Sequence, residues 1–466
     1  ARCAGTAVFV NAHHSIGVRA LVLFGTKDQQ EKWLPSLTSG ESLGAFALTE
    51  PEAGSDAANV QTMATPSDDG SGYVLNGEKR YITNGSIAQV LTVMARAPVE
   101  GSDKTKVTAF LVTPDMQGFE ITEAKMPKCG IRGTVTSRLA FHDMFVPKEN
   151  VLGPVGRGLN VALTVLDYGR TTFGATCTGA AKFCVERSVE HAKKRVQFGL
   201  ALSEFEMVKD KIAYMGAQAF AMEAATYQTA ALMDSGDEDY MVETAILKIF
   251  ATDALWKIVN DTIQIHGGKA YFSDQPFERM MRDARINMIG EGANDVLRNF
   301  TALMGIREVG LELKDTISSW GKMAGFAAGR LGAMIAAPDV PVRNDELQPD
   351  AKRLGKSIQH FGGQILHLLR AERAAFEKME FVNGKLQLHI GRVADASGEL
   401  YVSACVLARL DHLLSKRNGD AARITQDLQL GRYYLQTADR RIRASLAAMW
   451  DNDDAATTAL ADRLFG

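Results

Sequence analysis

The chain has 466 residues, 46% of them hydrophobic, and a formal net charge of -3. That length supports two or three domains with a large buried core, and the near-neutral balance excludes the dense basic face of a nucleic-acid binder. Five widely scattered cysteines (Cys3, Cys129, Cys177, Cys184, Cys405) form no CxxC, which argues against a disulfide framework or a structural zinc site and for a reducing compartment.

Residues 1–40 read as helical: AVFVNAHHSIGVRALVLFG stops at Gly25, and TKDQQEKWLPSL follows with a threonine or aspartate start signal. No apolar run reads as long enough to cross a bilayer. The opening ARCAGTAVFV has no methionine and no signal-like segment, so it reads as a processed or truncated product. From 45 to about 150 the runs YVLNGEKRYITNG, VLTVMARA, VTAFLVT and RLAFHDMFVP are short, β-branched or aromatic, and broken by Gly, Asn and Asp, as in a β-domain. From about 157 to 310 the chain turns helical again. There Ile246, Phe250, Trp256, Val259 and Ile263 lie near one face, and Gly267 supplies a stop. AAPDVPVRNDELQPD, with Pro338, Pro341 and Pro349, reads as a linker. Beyond it, Leu354, Ile358, Phe361, Ile365 and Leu368 alternate steps of four and three, as on a helix.

The expected domains are a helical segment 1–44, a β-domain 45–152, a helical bundle 153–312, a linker region 313–350 and a further helical domain 351–466. Strands do not alternate with helices, so the class is α+β, mainly α, and a doubly wound sheet is excluded. No GxGxxG or GxxxxGK[ST] is present, GPVGRG has the wrong spacing for either, and no serine has a GxSxG context. The nine histidines show no metal spacing. One acid stands out: Glu291 lies between two glycines in INMIGEGANDVLRNF, after apolar residues and before a helical run. It reads either as part of a helix start capped by Asn294 or Asp295, or as a half-sheltered catalytic base.

FALTEPEAGSD (46–56), YITNG (81–85), RVQFG (195–199), QIHGG (264–268) and EGANDVLR (291–298) occur in the order and spacing of the acyl-CoA dehydrogenase family. The resemblance runs from the first residues to about 310. The HHSIG and LFGTKDQQEKWLPSLTSGE segments and VADASGELYVSACVLARL (393–410) resemble its very-long-chain branch, which carries an extra helical C-terminal domain. The resemblance implies a helical domain, a central β-barrel-like domain and a helical bundle, with FAD between the last two and no Rossmann fingerprint. It places the start of this chain inside the N-terminal helical domain.

Carried over residue by residue, the resemblance makes Phe46, Leu48, Thr49 and Ser55 line the flavin, with Thr49 bonding the ring system and Ser55 near phosphate or thioester chain. Tyr81 stands where a tryptophan commonly covers the flavin, Ile82 follows it, and Thr83 puts a hydroxyl near flavin N5. Arg195, Gln197 and Phe198 reach the FAD of a neighbouring subunit, Arg195 toward its pyrophosphate, which implies at least a homodimer. Gln264, Gly267 and Gly268 let backbone approach the cofactor. Glu291 matches the base that removes the α proton. An apolar pocket would disfavour its charged form and raise its pKa toward the working range. Its backbone N–H would help hold the thioester carbonyl, beside Gly292. Some branches place the base on an earlier helix, at the position of Gly169, which cannot act. Asp167 and Arg170 match positions that bond the thioester region and orient the base; otherwise they form a helix-surface ion pair. Ala293 replaces a threonine that contacts the flavin, and the resemblance places it, Asn294 and Asp295 at the cofactor.

The implied reaction is FAD-dependent α,β-dehydrogenation of a long- or very-long-chain acyl-CoA, with electron-transfer flavoprotein as acceptor and no metal. Alternatives are an oxidase using oxygen, or a family member serving as an assembly or scaffold protein. The branch implies a mitochondrial matrix location on the inner membrane in a eukaryote, and a cytoplasmic or membrane-peripheral one in a bacterium. AKRLGKSIQHFGGQILHLLR (351–370) reads either as a basic interfacial helix for peripheral membrane contact or as a core helix with a solvated basic edge. Val8 and Ala12 are placed near the base of the acyl pocket.

Overall fold

The computed structural model describes residues 3–236, 239–317, 337–372, 386–416 and 421–466. Half of the expected linker region 313–350, residues 318–336, lies outside these residues. In chain order the elements begin with α1 (Ala4–Asn11), a π-helical turn (Ala12–Gly17), α2 (Arg19–Phe24) and α3 (Lys27–Ser39). Eight strands follow: β1 (Gly44–Ala47), β2 (Met63–Pro66), β3 (Gly72–Thr83), β4 (Val90–Val99), β5 (Ser102–Val112), β6 (Phe119–Glu123), β7 (Thr136–Pro147) and β8 (Val151–Leu152). Then come α4 (Gly158–Lys194), the short β9 (Val196–Gln197) and β10 (Leu200–Ala201), α5 (Glu206–Asp234), α6 (Met241–His266), α7 (Gly268–Tyr271), α8 (Phe277–Arg285) and α9 (Asn294–Ile317). The last helices are α10 (Gln348–Ala371), α11 (Gln387–Lys416), α12 (Ala421–Ala447) and α13 (Asp454–Phe465).

The chain divides into two compact units, Ala1–Phe183 with Leu255–Ala293, and Cys184–Ala254 with Asn294–Gly466. In the first, the sheet has the strand order β6-β7-β3-β2-β4-β5-β8, and β1 adds to β4 in parallel. The apolar run of β4 is explained by burial on both of its faces. Val90 and Met94 join one core cluster with Val18, Leu21, Trp33, Leu37, Phe46 and Val165, whereas Leu91, Val93 and Ala95 join a second with Leu75, Phe110, Leu139 and Phe141. Each large apolar side chain buried this way contributes roughly 1.5–3 kcal/mol.

Thr26 and Gln29 start α3 with a reciprocal capping box. The Gln29 amide also donates to the carbonyl oxygens of Glu149 and Val151 at 2.7 and 2.8 Å, tying the N-terminal helices to the end of the sheet. His13 donates or accepts at both ring nitrogens, toward the Leu37 carbonyl oxygen at 3.1 Å and the Gly44 N–H at 2.9 Å.

One expectation is corrected here. Ala4–Phe24, 21 residues with a hydropathy of 1.4, is long and apolar enough by length and composition to cross a membrane. The paired histidines and Arg19 interrupt the run in the sequence, but the helical turns continue through them. Within this unit Ala12, Ser15, Gly17, Val18, Ala20 and Leu21 are buried, the last two apolar anchors being Val18 and Leu21 in the first core cluster.

In the second unit Ala302, Leu368, Ile390, Val393, Ile442 and Leu446 from α9 to α12 form one core. Leu354 and Leu368 are buried, and Phe361 and Ile365 pack on that core, so much of the apolar stripe of α10 is a core face. Glu399 on α11 holds Arg441 and the buried Tyr434 hydroxyl of α12.

The loop between β6 and β7 is fastened to α8. The Ile131 N–H donates to Asp283, and Arg282 Nη1 donates to the Cys129 carbonyl oxygen at 3.1 Å. A Cβ on Gly130 would lie 2.2 Å from the Arg282 carbonyl oxygen, while one on Gly133 meets nothing within 4 Å. Gly130→Ala is therefore expected to destabilise the protein by about 1–3 kcal/mol, and Gly133→Ala to be near neutral. Paired thermal melts check this, and equal melting temperatures for the two variants would contradict the close approach.

Candidate active site

Helix α8 runs into a 3-10 turn (Ile286–Met288), and the chain then turns sharply before α9. Glu291 and Gly292 both have positive φ, 56° and 96°. A left-handed conformation is easy for glycine, but for a glutamate it costs of order 1–3 kcal/mol and persists only where the surroundings enforce it. Here they do. The half-buried Glu291 carboxylate lies against Gly169 of α4. A Cβ built on Gly169 would fall 2.0 Å from Glu291 Oε2, 2.8 Å from its carboxyl carbon and 3.0 Å from Ile16 Cγ2. Gly169 thus supplies the room that the carboxylate occupies, and Ile16, from the π-helical turn, gives the same spot an apolar wall.

The next residue fixes the loop. Arg170 is buried, its Nη1 donates to Asp167 Oδ1 at 2.8 Å, and its Nε makes a long hydrogen bond of 3.5 Å to the Glu291 carbonyl oxygen. Asp167 is only 1% exposed. The pair is an interior one rather than a surface ion pair, so removing either partner would leave an uncompensated buried charge.

A second group of site residues gathers around β3. Phe46 and Leu48 are buried in the first core cluster, Thr49 is half-buried and Ser55 is exposed. The Thr49 carbonyl oxygen accepts from the Arg80 N–H at 2.9 Å, which sets this loop beside β3. The β3–β7 register runs Lys79 opposite Leu139, then Ile82 opposite Ser137. Arg80 and Tyr81 thus face the single residue Arg138, a β-bulge of the kind that re-aims a side chain. Tyr81 adopts φ 62° and is 56% exposed, with the Arg80 guanidinium 4.7 Å from its ring centroid. Ile82 turns inward to the second core cluster and offers no side chain to a ligand; Thr83 is half-buried.

Beneath the bulge is an ion pair that composition and motif did not flag. Lys79 is 0% exposed, and its Nζ lies 2.6 Å from Glu50 Oε1 and 3.1 Å from the Leu48 carbonyl oxygen. Burial pushes the Lys79 ammonium down to about 8 against the pull of Glu50. Burial also pushes the Glu50 carboxyl up, but the Lys79 charge and the hydrogen bonds from Lys79, Thr62 and Gln61 outweigh it and hold the group below its ordinary range. The available signal was alternation: Leu75, Gly77 and Lys79 share one side of β3, so a lysine falls on the side of the buried Leu75.

Gln264, Gly267 and Gly268 lie exposed at the end of α6, where Gly267 has φ 64° and an added Cβ on either glycine meets nothing within 4 Å. The remaining candidates belong to the second unit. Arg195, Gln197 and Phe198 are exposed on the β9–β10 hairpin, whose tip residues Phe198 and Gly199 have φ 52° and 81°. Phe198 is 96% exposed. Asn294 is buried and its amide is committed to α6: Oδ1 accepts from Lys248 Nζ at 2.8 Å, and Nδ2 donates to Asp253 Oδ1 at 2.7 Å and Thr252 Oγ1 at 3.0 Å. Asp295 is exposed, with Arg298 at 3.9 Å.

Comparison with known proteins identifies one family along the chain. Family models match along the chain: acyl-CoA dehydrogenase N-terminal domain over 1–41, middle domain over 45–144, C-terminal domain over 156–303, and the ACAD9/ACADV C-terminal domain over 345–462. The very long-chain specific acyl-CoA dehydrogenase of Rattus norvegicus is 36% identical over 461 residues, covering 96% of this chain and 69% of that protein. A probable acyl-CoA dehydrogenase, FadE10, of Mycobacterium bovis is 30% identical over 97% of this chain and 72% of its own length. Among solved structures, an acyl-CoA dehydrogenase complexed with FAD from Bacillus anthracis superposes with a TM-score of 0.82 at 29% identity, over 98% of this chain and 78% of that one. Butyryl-CoA dehydrogenase from Megasphaera elsdenii gives 0.62 at 38% identity, over 65% and 78%. The chain belongs to the acyl-CoA dehydrogenase family.

Proposed function

We propose that this acyl-CoA dehydrogenase removes the α proton of a long- or very-long-chain acyl-CoA with Glu291 as its base, in the first step of fatty-acid β-oxidation. The observation that carries the reading is the bare Gly169 surface on which the Glu291 carboxylate rests, beside the buried Asp167–Arg170 pair. The long-chain preference draws on the Rattus norvegicus relative, a very long-chain specific acyl-CoA dehydrogenase.

The residues present fit a flavin. Tyr81 is turned out by a bulge as an exposed aromatic face, Thr49 and Thr83 are only half-buried beside it, and Gly267 and Gly268 leave backbone with open space in front. When bound, FAD supplies the acceptor for the β-hydride at flavin N5. The chain's own part is to bind, orient and deprotonate. Arg170 holds the Glu291 backbone, and Gly169 and Ile16 keep the carboxylate in one apolar niche. The left-handed turn at Glu291 and Gly292 presents that carboxylate, together with a backbone N–H suited to a thioester oxygen. Thr49, Ser55, Tyr81 and Thr83 are assigned to the cofactor and the adjoining acyl-CoA. Ala293 offers only a methyl group where the family's threonine has a hydroxyl, and Asn294 can contribute backbone only, since its amide is engaged with Lys248 and Asp253. A homodimer in which Arg195, Gln197 and Phe198 reach the neighbour's cofactor accounts for a 96% exposed phenylalanine at a hairpin tip. Electron-transfer flavoprotein is the proposed electron acceptor.

Glu291→Gln is expected to lower the dehydrogenation rate by about 10²–10⁴-fold, the range for losing a general base, with FAD still bound. The check is anaerobic bleaching of the flavin by a long-chain acyl-CoA. Bleaching at the native rate in the variant would remove Glu291 from the role, and no bleaching in FAD-loaded native protein would remove the substrate class. Air reoxidation of the bleached native protein would point to an oxidase instead.

Gly169→Ala places a methyl group where Oε2 lies and is expected to cost on the order of 10²-fold in rate by misplacing the base, with the FAD content unchanged. Full activity in that variant would show that Glu291 does not work from this niche. Phe198→Ala is expected to weaken FAD binding about tenfold, the size of one well-packed aromatic contact, as measured by titration of the apoprotein. An unchanged dissociation constant would take the hairpin out of the cofactor site.

A further inference from the structure

Lys79 is a fully buried cation that the proposed chemistry does not use, and it sits where two chain segments meet. Its side chain is 0% exposed, and that of Glu50 is 3% exposed. One ammonium holds the Glu50 carboxylate at 2.6 Å and the Leu48 carbonyl oxygen at 3.1 Å. The Glu50 carboxylate accepts in addition from the Thr62 N–H at 3.0 Å, the Thr62 hydroxyl at 2.6 Å and the Gln61 N–H. Thr49, the residue between these two anchors, has its own carbonyl oxygen held by the Arg80 N–H at 2.9 Å. Three consecutive residues, Leu48, Thr49 and Glu50, are therefore each fastened to Lys79 or Arg80. The bulge that turns Tyr81 outward begins directly after Lys79.

A buried ion pair is weak as a source of net stability, because desolvation offsets most of the attraction. Its strength is geometric: a charge with several hydrogen bonds in a dry site tolerates few arrangements. An apolar residue at position 79 would satisfy the burial of β3 but would leave the Leu48–Glu50 turn without its central fastening. We propose that Lys79 and Glu50 are positioning residues that lock the Thr49 loop and the Arg80–Tyr81 bulge, with Thr83 just beyond it, into one frame, setting both the affinity for FAD and the orientation of its ring. The proposal rests on the assignment of Thr49, Tyr81 and Thr83 to the cofactor, and neither Lys79 nor Glu50 is assigned a contact with it.

The test uses full-length apoprotein titrated with FAD, comparing native protein with Lys79→Met, Lys79→Gln and Glu50→Gln. Lys79→Met keeps the length of the side chain and removes its donors. It is expected to raise the FAD dissociation constant at least about tenfold and to change the visible circular dichroism of the FAD that still binds. Lys79→Gln, which retains amide donors, and Glu50→Gln, which keeps one of the two acceptor oxygens and so can still accept from Thr62 and Lys79 but not from Gln61 as well, are expected to fall between native and Lys79→Met on both readouts. A purely structural pair would lower the melting temperature of the apoprotein in all three variants without moving the dissociation constant or the flavin spectrum, and that result overturns the proposal. If Lys79→Met does not fold, native values of both readouts in the two glutamine variants overturn it equally. Native protein that binds no FAD would instead overturn the cofactor assignment, an outcome distinct from failure of this inference.

Discussion

The missing side chain at Gly169 is the constraint on which the candidate catalytic geometry depends. A helix interior normally disfavours glycine by roughly 1 kcal/mol relative to alanine, and α4 carries that cost at the point where Glu291 Oε2 would lie 2.0 Å from any Cβ. The loop contributes the complementary strain, a glutamate at φ 56° followed by a glycine at φ 96°. Each feature alone is unfavourable, and together they are mutually enforcing: the niche holds the carboxylate, and the buried Arg170 holds the carbonyl of the same residue. This is backbone and helix strain concentrated at the proposed base and offset by packing elsewhere.

The same logic recurs around β3. Of the seven non-glycine residues with positive φ among the described residues, Tyr81, Phe198 and Glu291 are three that the family motifs assign to function. Tyr81 is held there by a bulge, Phe198 by a tight hairpin, and Glu291 by the niche on α4. The three devices differ, but each aims one side chain against the preference of its own backbone. Asn84, a fourth, closes the YITNG segment, its N–H donating to the Val135 carbonyl oxygen at 2.9 Å.

Much of the fold was legible because it follows from local rules. The stop at Gly25, the cap at Thr26, the apolar stripe of α10 and the two-sided burial of β4 all express periodicity or capping that a single sequence carries. The site was legible in another way. Glu291 stands out as an isolated acid between glycines, but its role came from ordered motifs, and composition alone pointed equally to a helix cap. The alternation of β3 could have exposed Lys79 and did not, because a single inward lysine in a strand looks like noise until its partner Glu50, twenty-nine residues earlier, is known to face it. The membrane-length apolar run at the N-terminus was missed for a related reason: histidines and an arginine that seem to break it in the sequence are accommodated by helical turns packed against the first core.

Asn294 shows how far motif transfer reaches. The residue was assigned to the cofactor by its place in EGANDVLR, yet its amide makes four hydrogen bonds to α6, through Lys248, Thr252 and Asp253. Asp253 is in turn bonded by Arg298 at 2.6 Å, and Arg298 reaches Asp395 of α11 at 2.7 Å. This hydrogen-bonded chain is buried at Asn294, Lys248 and Thr252, where an unpaired polar group is costly, and runs outward to the partly exposed Asp253 and Asp395. In EGANDVLR the asparagine amide is therefore engaged within the bundle, so any contribution of Asn294 to a cofactor would come from its backbone rather than its side chain.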